Sequence, residues 1–163
     1  MNIDGILAAL NDGQVDYLLI GGVNFLLRHR PEMTFDVDVW IRDTADTRGR
    51  CEAVLAALGA EWGRDEASWG PVARLPAGWL ATQALFCMTT PAGALDVFRT
   101  VKGLTDWAAC AGRAVAGRTA TGVAYRGLSD ADMLACQLAL PPPDRKEGRI
   151  AVLREALEAS SAP

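Results

Sequence analysis

Two aspartates at alternate positions, Asp36 and Asp38, are the residues whose type and spacing most directly indicate chemistry. Because successive side chains of a strand point to opposite faces, a strand over residues 34–41 places both carboxylates on one face, about 7 Å apart along the strand. Two like charges this close repel each other unless water or a cation lies between them. Hard divalent ions such as Mg²⁺ prefer carboxylate oxygens, so the pair predicts a metal site. The alternative is an ordinary half-solvated strand whose acidic side chains face water.

Two consecutive glycines, Gly21 and Gly22, follow the apolar residues 18–20. Glycine lets a strand turn sharply into a helix because it has no Cβ atom. The unpaired N–H groups and the positive dipole end of such a helix suit a phosphate group. A plain tight turn is the alternative interpretation of the glycines alone. Glycine turn and paired carboxylates together favour a site for a phosphate and a metal ion.

This arrangement resembles the signature of the nucleotidyltransferase superfamily that includes DNA polymerase beta, which joins a hydrophobic-Gly-Gly/Ser element to Asp-hydrophobic-Asp/Glu. More narrowly, residues 17–41, which also contain His29 and Thr34, resemble the small bacterial nucleotidyltransferases related to the toxin of the AbiE phage-defence system. The resemblance implies a third carboxylate on a later strand, for which Asp96 within residues 94–98 is the best match. It also implies a mixed α+β fold, with a small mixed sheet flanked by helices and a helical C-terminal segment.

The resemblance implies a reaction and a set of site residues. The reaction is the Mg²⁺-dependent transfer of NMP from an NTP to a hydroxyl group, with release of pyrophosphate. Two Mg²⁺ ions, for which Mn²⁺ can substitute, would bind Asp36, Asp38 and Asp96, and Asp96 is also a candidate proton acceptor. The residues expected to contact the nucleotide are Gly21, Gly22, Asn24, Arg30, Thr34, Arg145 and Lys146. For Arg145 and Lys146, a solvated helix face is an equally good interpretation.

Two residues depart from the pattern of many relatives. Glu32 occupies a position where those relatives carry arginine, and Gln137 falls where they carry lysine. Both changes remove expected triphosphate contacts, although Arg30 can substitute for the first. The intact carboxylates favour an enzyme. Glu32 and Gln137 favour a non-catalytic module that binds a nucleotide or a partner, such as one component of a toxin–antitoxin pair with a cognate antitoxin or toxin.

The composition limits the partners and the domain organisation. With 163 residues, 50% of them hydrophobic and 22% charged, the chain suits one core, so we expect a single domain over residues 1–163. Within it, residues 1–103 form the metal and nucleotide core and residues 104–163 a mostly helical part. The net charge of −4 argues against general nucleic-acid affinity. A small molecule, tRNA and protein all stay open as acceptors, and a cationic small molecule suits an acidic protein slightly better than RNA does.

The chain predicts neither export nor membrane insertion, because it has no basic N-terminal lead and no run of eighteen apolar residues. A cytoplasmic location is expected. The four cysteines are widely separated, which argues against a zinc site and predicts small, reduced core residues. The single histidine, His29, lies between two arginines, so a structural or phosphate-side role is favoured over general-base catalysis. Trp62 and Trp69 are expected to be core residues, with a base-stacking platform as the alternative.

Periodicity and turn residues predict the elements that position these side chains. Helices are predicted over residues 3–10, 23–28, 47–58, 105–114, 129–140 and 145–157. Strands are predicted over residues 15–20, 34–41, 83–89, 95–99 and 122–125. Residues 61–78 are predicted to be a loop or irregular strands near the site. No Gly-Lys-Ser/Thr follows the glycine turn, which excludes a P-loop kinase.

Overall fold

The computed structural model describes residues 1–161, which form six α-helices and one sheet of eight strands. The helices are α1 Ile3–Asp12, α2 Gly21–Arg28, α3 Ala45–Ala57, α4 Trp107–Gly112, α5 Asp130–Leu138 and α6 Glu147–Ser161. The strands are β1 Tyr17–Leu19, β2 Asp36–Ile41, β3 Glu61–Trp62, β4 Gly70–Pro71, β5 Leu85–Thr90, β6 Gly93–Phe98, β7 Val115–Arg118 and β8 Ala124–Gly127. The predicted mixed α+β class is confirmed.

The sheet has the strand order β4-β3-β5-β6-β2-β1-β8-β7. Its central strand β2 runs parallel to β6 and antiparallel to β1, while β5 and β6 form an antiparallel hairpin. The register pairs Asp38 of β2 with Asp96 of β6. Because paired residues of neighbouring strands point to the same face of a sheet, the topology alone brings these two carboxylates together.

Side-chain alternation along β2 gives the sheet two different faces. Val37, Val39 and Ile41 are fully buried in the main core, which α1 and α3 cover. On the other face, Trp40 is buried in a second cluster with apolar residues of α2, α4, α5 and α6, whereas Asp36 and Asp38 lie beyond the edge of that cluster. Full burial of each large apolar side chain stabilises the fold by about 1.5–3 kcal/mol. Burial of one face of β2 thus fixes the direction in which its acidic side chains point.

The helix ends follow the local sequence. The Ser129 side chain accepts a hydrogen bond from the backbone N–H of Asp132 and is the N-cap of α5. The residue Gly59 has a φ of +66° just after α3, as is common for a glycine that ends a helix. No helix within residues 1–161 has the length and apolar character needed to cross a membrane.

The part of the chain that was predicted to be mostly helical also contributes two strands. The predicted helix over residues 105–114 is shorter, and β7 follows it and pairs with β8 at the edge of the sheet. The sequence did not indicate β7 because its four residues, Val-Ala-Gly-Arg, include glycine and lack alternation of buried and exposed positions. The strand β8 runs parallel to β1, where Gly127 pairs with Leu19.

Two expectations about core residues are wrong in part. Trp62 packs against Trp79 and Phe86, with ring centroids 6.0 and 5.0 Å apart, as a core residue should. Trp69 is 43% exposed and is not a core residue.

All four cysteines are free, and Cys51 and Cys110 are buried, but Cys136 is half-buried and Cys87 is exposed. The reason for Cys87 is strand alternation, because it shares the open face of the sheet with Asp96.

Candidate active site

The strands β2 and β6 bring three carboxylates together on the open face of the sheet. Asp36, Asp38 and Asp96 each place one carboxylate oxygen within 4.8 Å of the others, and all three residues are half-buried. Hydrogen bonding between parallel strands fixes the register of Asp38 and Asp96, and Asp36 lies two positions along the same face. Three acids at this spacing form a compact set of hard oxygen donors.

The electrostatics of these carboxylates favour a bound cation. Burial, followed by the negative charges of Asp36 and Asp96, raises the pKa of Asp38 to about 6, although the Gly22 backbone N–H and Arg149 oppose the shift. Burial also raises the pKa of Asp96. A hydrogen bond from Cys87 lowers this pKa, and the negative charge of Asp36 raises it further. A divalent cation would remove the repulsion that contributes to both shifts. The donors therefore fit Mg²⁺ or Mn²⁺.

Ionisation of Asp38 should lower the free energy of unfolding of the metal-free protein, which can be measured without any substrate. We expect Asp38→Asn to raise the free energy of unfolding of the metal-free protein by about 2–3 kcal/mol at about pH 8. The folded-state pKa of Asp38 is raised, so the stability linked to its proton is present at low pH and is lost as pH rises through about 6. The gain should therefore fall by roughly half at about pH 5.

Urea unfolding in EDTA at both pH values measures this gain. The matched control is Asp12→Asn, because Asp12 is exposed at the end of α1 and should give no gain at either pH. An equal gain for Asp38→Asn at both pH values would show that ionisation of the buried Asp38 carboxylate is not its cause.

The glycine turn allows α2 to begin directly beside Asp38. Gly21 has a φ of +64°, and a Cβ atom on it would lie 1.9 Å from Asp38 Oδ2. A Cβ atom on Gly22 would lie 2.4 Å from Thr34 Oγ1, and the Gly22 backbone N–H donates a hydrogen bond to the Asp38 carboxylate. Thr34 Oγ1 in turn donates to Asp36 Oδ1 at 3.2 Å. Thr34 and both glycines thus lie at the carboxylates.

Asn24 does not face this cleft. Its side chain is fully buried and donates from Nδ2 to the backbone oxygen of Leu128 at 3.1 Å. A Cβ atom on Gly127 would lie 1.9 Å from Asn24 Oδ1, so this glycine is required for close packing against α2. Asn24 therefore joins α2 to the end of β8, and its predicted contact with phosphate would need repacking of the core.

The predicted basic residues have different local partners. Arg145 donates to the backbone oxygens of Leu140 and Leu138, both at 2.9 Å, and so caps the C-terminal end of α5. Arg30 donates to the backbone oxygen of Gly148 at 3.1 Å. Lys146 pairs with Glu32 at 2.8 Å. The structure thus does not bring Arg145 to the three carboxylates.

Arg149 is a cleft residue that the sequence did not single out. It is only 6% exposed, and with Gly21 and Asp38 it lines a cavity of about 120 Å³. Its guanidinium forms a bidentate pair with Glu32, with N–O distances of 2.5 and 3.2 Å, and lies 5.2 Å from the ring centroid of Phe25. The basic start of α6 was visible in the sequence, but the orientation of its residues depends on how the helix packs.

The two departures from the family pattern have structural roles. Burial raises the pKa of Glu32, but hydrogen bonds from Arg149 and Lys146 outweigh burial and hold the pKa below its ordinary value. Glu32 is thus a charged anchor for Arg149. Gln137 is buried, and its side-chain oxygen accepts a hydrogen bond from the Lys146 backbone N–H at 3.0 Å.

Cys87 and His29 each contact a carboxylate, but not the same one. Cys87 Sγ donates to Asp96 Oδ2 at 3.2 Å. Partial desolvation, followed by this contact with Asp96, raises the pKa of the Cys87 thiol to about 12. His29 Nε2 lies 2.9 Å from Asp130 Oδ1, and the same carboxylate pairs with Arg28. The contact with Asp130 fixes the orientation of the His29 ring.

Comparison with known proteins finds solved structures of similar fold. No family model matches the sequence, and no curated protein matches it. The fold is similar to a solution structure of the antibiotic-resistance factor ANT(2'')-Ia, with a TM-score of 0.56, 19% identity, and coverage of 98% of this chain and 82% of that chain. A crystal structure of ANT(2'')-Ia in complex with adenylyl-2''-tobramycin gives the same TM-score of 0.56 and 19% identity, covering 95% of this chain and 87% of that chain. The chain therefore has the predicted nucleotidyltransferase fold.

Proposed function

We propose that this protein transfers a nucleotidyl group from an NTP to an acceptor hydroxyl and releases pyrophosphate. The observation that carries the proposal is the convergence of Asp36, Asp38 and Asp96 within 4.8 Å, directly beside the Gly21 turn. The likeness to ANT(2'')-Ia, which has been solved with adenylyl-2''-tobramycin, supports the reaction class. A small molecule, tRNA and protein stay open as acceptors. The cognate antitoxin and the cytoplasmic location stay predictions from the sequence.

The three carboxylates are proposed to hold divalent metal ions, Mg²⁺ by preference and Mn²⁺ as a substitute, because they offer hard oxygen donors. When bound, such ions neutralise phosphate charge, lower the pKa of the attacking hydroxyl and stabilise the leaving pyrophosphate. The residues of the chain contribute the rest of the chemistry. The backbone N–H groups at the start of α2 and the guanidinium of Arg149 provide positive potential for the phosphates. Asp96 accepts the proton of the acceptor hydroxyl.

The alternative is a non-catalytic module that binds a nucleotide or a partner protein, which the sequence suggested because of Glu32 and Gln137. In the structure, Glu32 holds the buried Arg149, and Gln137 accepts a hydrogen bond from Lys146. A cation therefore stays in the cleft even though the expected arginine and lysine are absent. This cation answers the sequence argument against triphosphate binding, whereas the convergence of Asp36, Asp38 and Asp96 favours the enzyme over the module.

A labelling experiment tests the proposed function. We expect the wild-type protein, incubated with Mg²⁺, a cell extract and each of the common NTPs labelled at the α-phosphate, to transfer label to one class of acceptor. EDTA and the double variant Asp36→Asn/Asp38→Asn should each abolish labelling, because both remove the proposed ion binding. Binding of NTP by the wild type without transfer to any acceptor would replace the enzyme with the module.

A further inference from the structure

We infer that the acceptor binds in a groove between β5 and α5, and that it is an apolar hydroxyl compound of neutral or negative charge. This inference rests on the proposed function. The groove has a volume of about 380 Å³. Its lining includes Leu85, Phe98, Val101, Lys102, Gln137 and Leu140.

The groove is continuous with the carboxylate site. Phe98 lies two positions after Asp96 on the same face of β6, and it pairs across the hairpin with Leu85 of β5. The groove shares Phe98 and Gln137 with the small cavity beside Gly21 and Arg149, which the proposed function gives to the phosphates, so the groove opens beside the bound nucleotide. A molecule in the groove can therefore present a hydroxyl group to the carboxylates.

The direction of the reaction assigns this side to the acceptor. The features suited to phosphate, the Gly21 turn and the start of α2, lie next to Asp38 on the β1 side of β2. Asp96 lies on the opposite side, because β6 separates β2 from β5. In a phosphoryl displacement the attacking and leaving oxygens lie roughly in line on opposite sides of phosphorus. A leaving pyrophosphate near Gly21 therefore requires an attacking hydroxyl on the side of Asp96 and the groove.

The lining determines the chemical class of the acceptor. Leu85 is 37% exposed although it is a large apolar residue, and its neighbours Phe98, Val101 and Leu140 are half-buried. Lys102 is the only Asp, Glu, Lys, Arg or His residue in the lining, all of which lies in the described part of the chain. A polycation would need carboxylates to compensate its charge. The apolar lining and a single lysine instead favour an apolar body with a neutral or anionic group, despite the net negative charge of the protein.

Binding of 8-anilinonaphthalene-1-sulfonate, a fluorescent probe that is both apolar and anionic, tests the groove directly. We expect Leu85→Asp to weaken probe binding at least tenfold and Lys102→Glu severalfold. The matched control is Leu138→Asp, because Leu138 is 40% exposed on α5 but is not part of the lining. It should leave probe binding within twofold of wild type. Circular dichroism of each variant checks that it is folded.

Competition with the bound probe distinguishes an acceptor groove from a groove that binds the nucleotide or a polycation. Saturating Mg²⁺ and NTP should leave the probe bound, whereas competitive displacement would make the groove a nucleobase site and overturn the inference. Displacement by the polycation spermine, or equal binding by wild type and Leu85→Asp, would also overturn it. In the labelling assay, Leu85→Asp should reduce transfer to the acceptor at least tenfold with unchanged NTP affinity. Absence of all transfer in the wild type would instead reject the proposed function, since the probe measurements do not depend on transfer.

Discussion

Asp96→Asn is expected to lower nucleotidyl transfer by about 10³-fold or more while NTP binding persists. Asparagine has nearly the size of aspartate and can still accept a hydrogen bond from Cys87, so β6 and its register with β2 should be preserved. The substitution removes a negative charge from the three-carboxylate cluster and the group proposed to accept the hydroxyl proton. Binding through Asp36 and Asp38 should continue, so binding and chemistry should separate.

Two measurements on the same preparation test this separation. Transfer is followed with an NTP labelled at the α-phosphate, and NTP affinity is measured by calorimetry in the presence of Mg²⁺. Asp12→Asn serves as the control because Asp12 is exposed and lies outside the cluster. Transfer by Asp96→Asn at more than about a tenth of the wild-type rate would exclude an essential role for this carboxylate. Loss of NTP binding in Asp96→Asn would show that the three carboxylates act as one unit.

The part of the site that could be predicted from the sequence depends on local geometry. The positions of Asp36 and Asp38 follow from the alternation of side chains along a strand, which needs no knowledge of the rest of the fold. Asp96 was found through the family pattern, and the register of β6 against β2 explains why a residue 58 positions after Asp38 lies beside it. The Gly21 turn was also visible because only glycine combines a positive φ with so close an approach to a side chain.

The features that escaped prediction depend on packing between distant segments. Arg145, Lys146 and Arg149 lie within one turn or so of each other, and only the docking of α6 against Phe25 and Glu32 decides that Arg149 enters the cleft. Asn24 looked like a phosphate ligand because it follows the glycine turn, but the phase of α2 directs it into the core. Helical spacing alone cannot distinguish these orientations, since the apolar stripe of a short helix is poorly defined.

The effect of Glu32 on the charge of the cleft depends on its neighbours in the fold. As a lone change it removes a positive charge from a site for triphosphate. In the folded chain it orders two cations, Lys146 just before α6 and Arg149 within it, by hydrogen bonds that join the loop before β2 to the last helix. A buried arginine without such a partner would be costly, because desolvation of an unpaired charge is strongly unfavourable. The acid is therefore compatible with a cationic cleft.

Gly21→Ala should reduce transfer by about 10²-fold or more, because displacement of a catalytic group by about 1 Å can have an effect of that size. The new Cβ atom would lie 1.9 Å from Asp38 Oδ2, so either the carboxylate or the start of α2 must move. The φ of +64° adds strain for any residue with a Cβ atom, and we expect a loss of about 1–3 kcal/mol in the free energy of unfolding.

The chain offers a matched control in Gly49→Ala, which makes the same chemical change in the middle of α3, where a Cβ atom would meet nothing within 4 Å. Alanine there should raise stability by up to about 1 kcal/mol and leave transfer unchanged. Rates of transfer and urea unfolding of both variants distinguish a local effect on Asp38 from a general effect of losing glycine. If Gly21→Ala transferred label within about twofold of the wild-type rate, the close approach of α2 to Asp38 would have no part in catalysis.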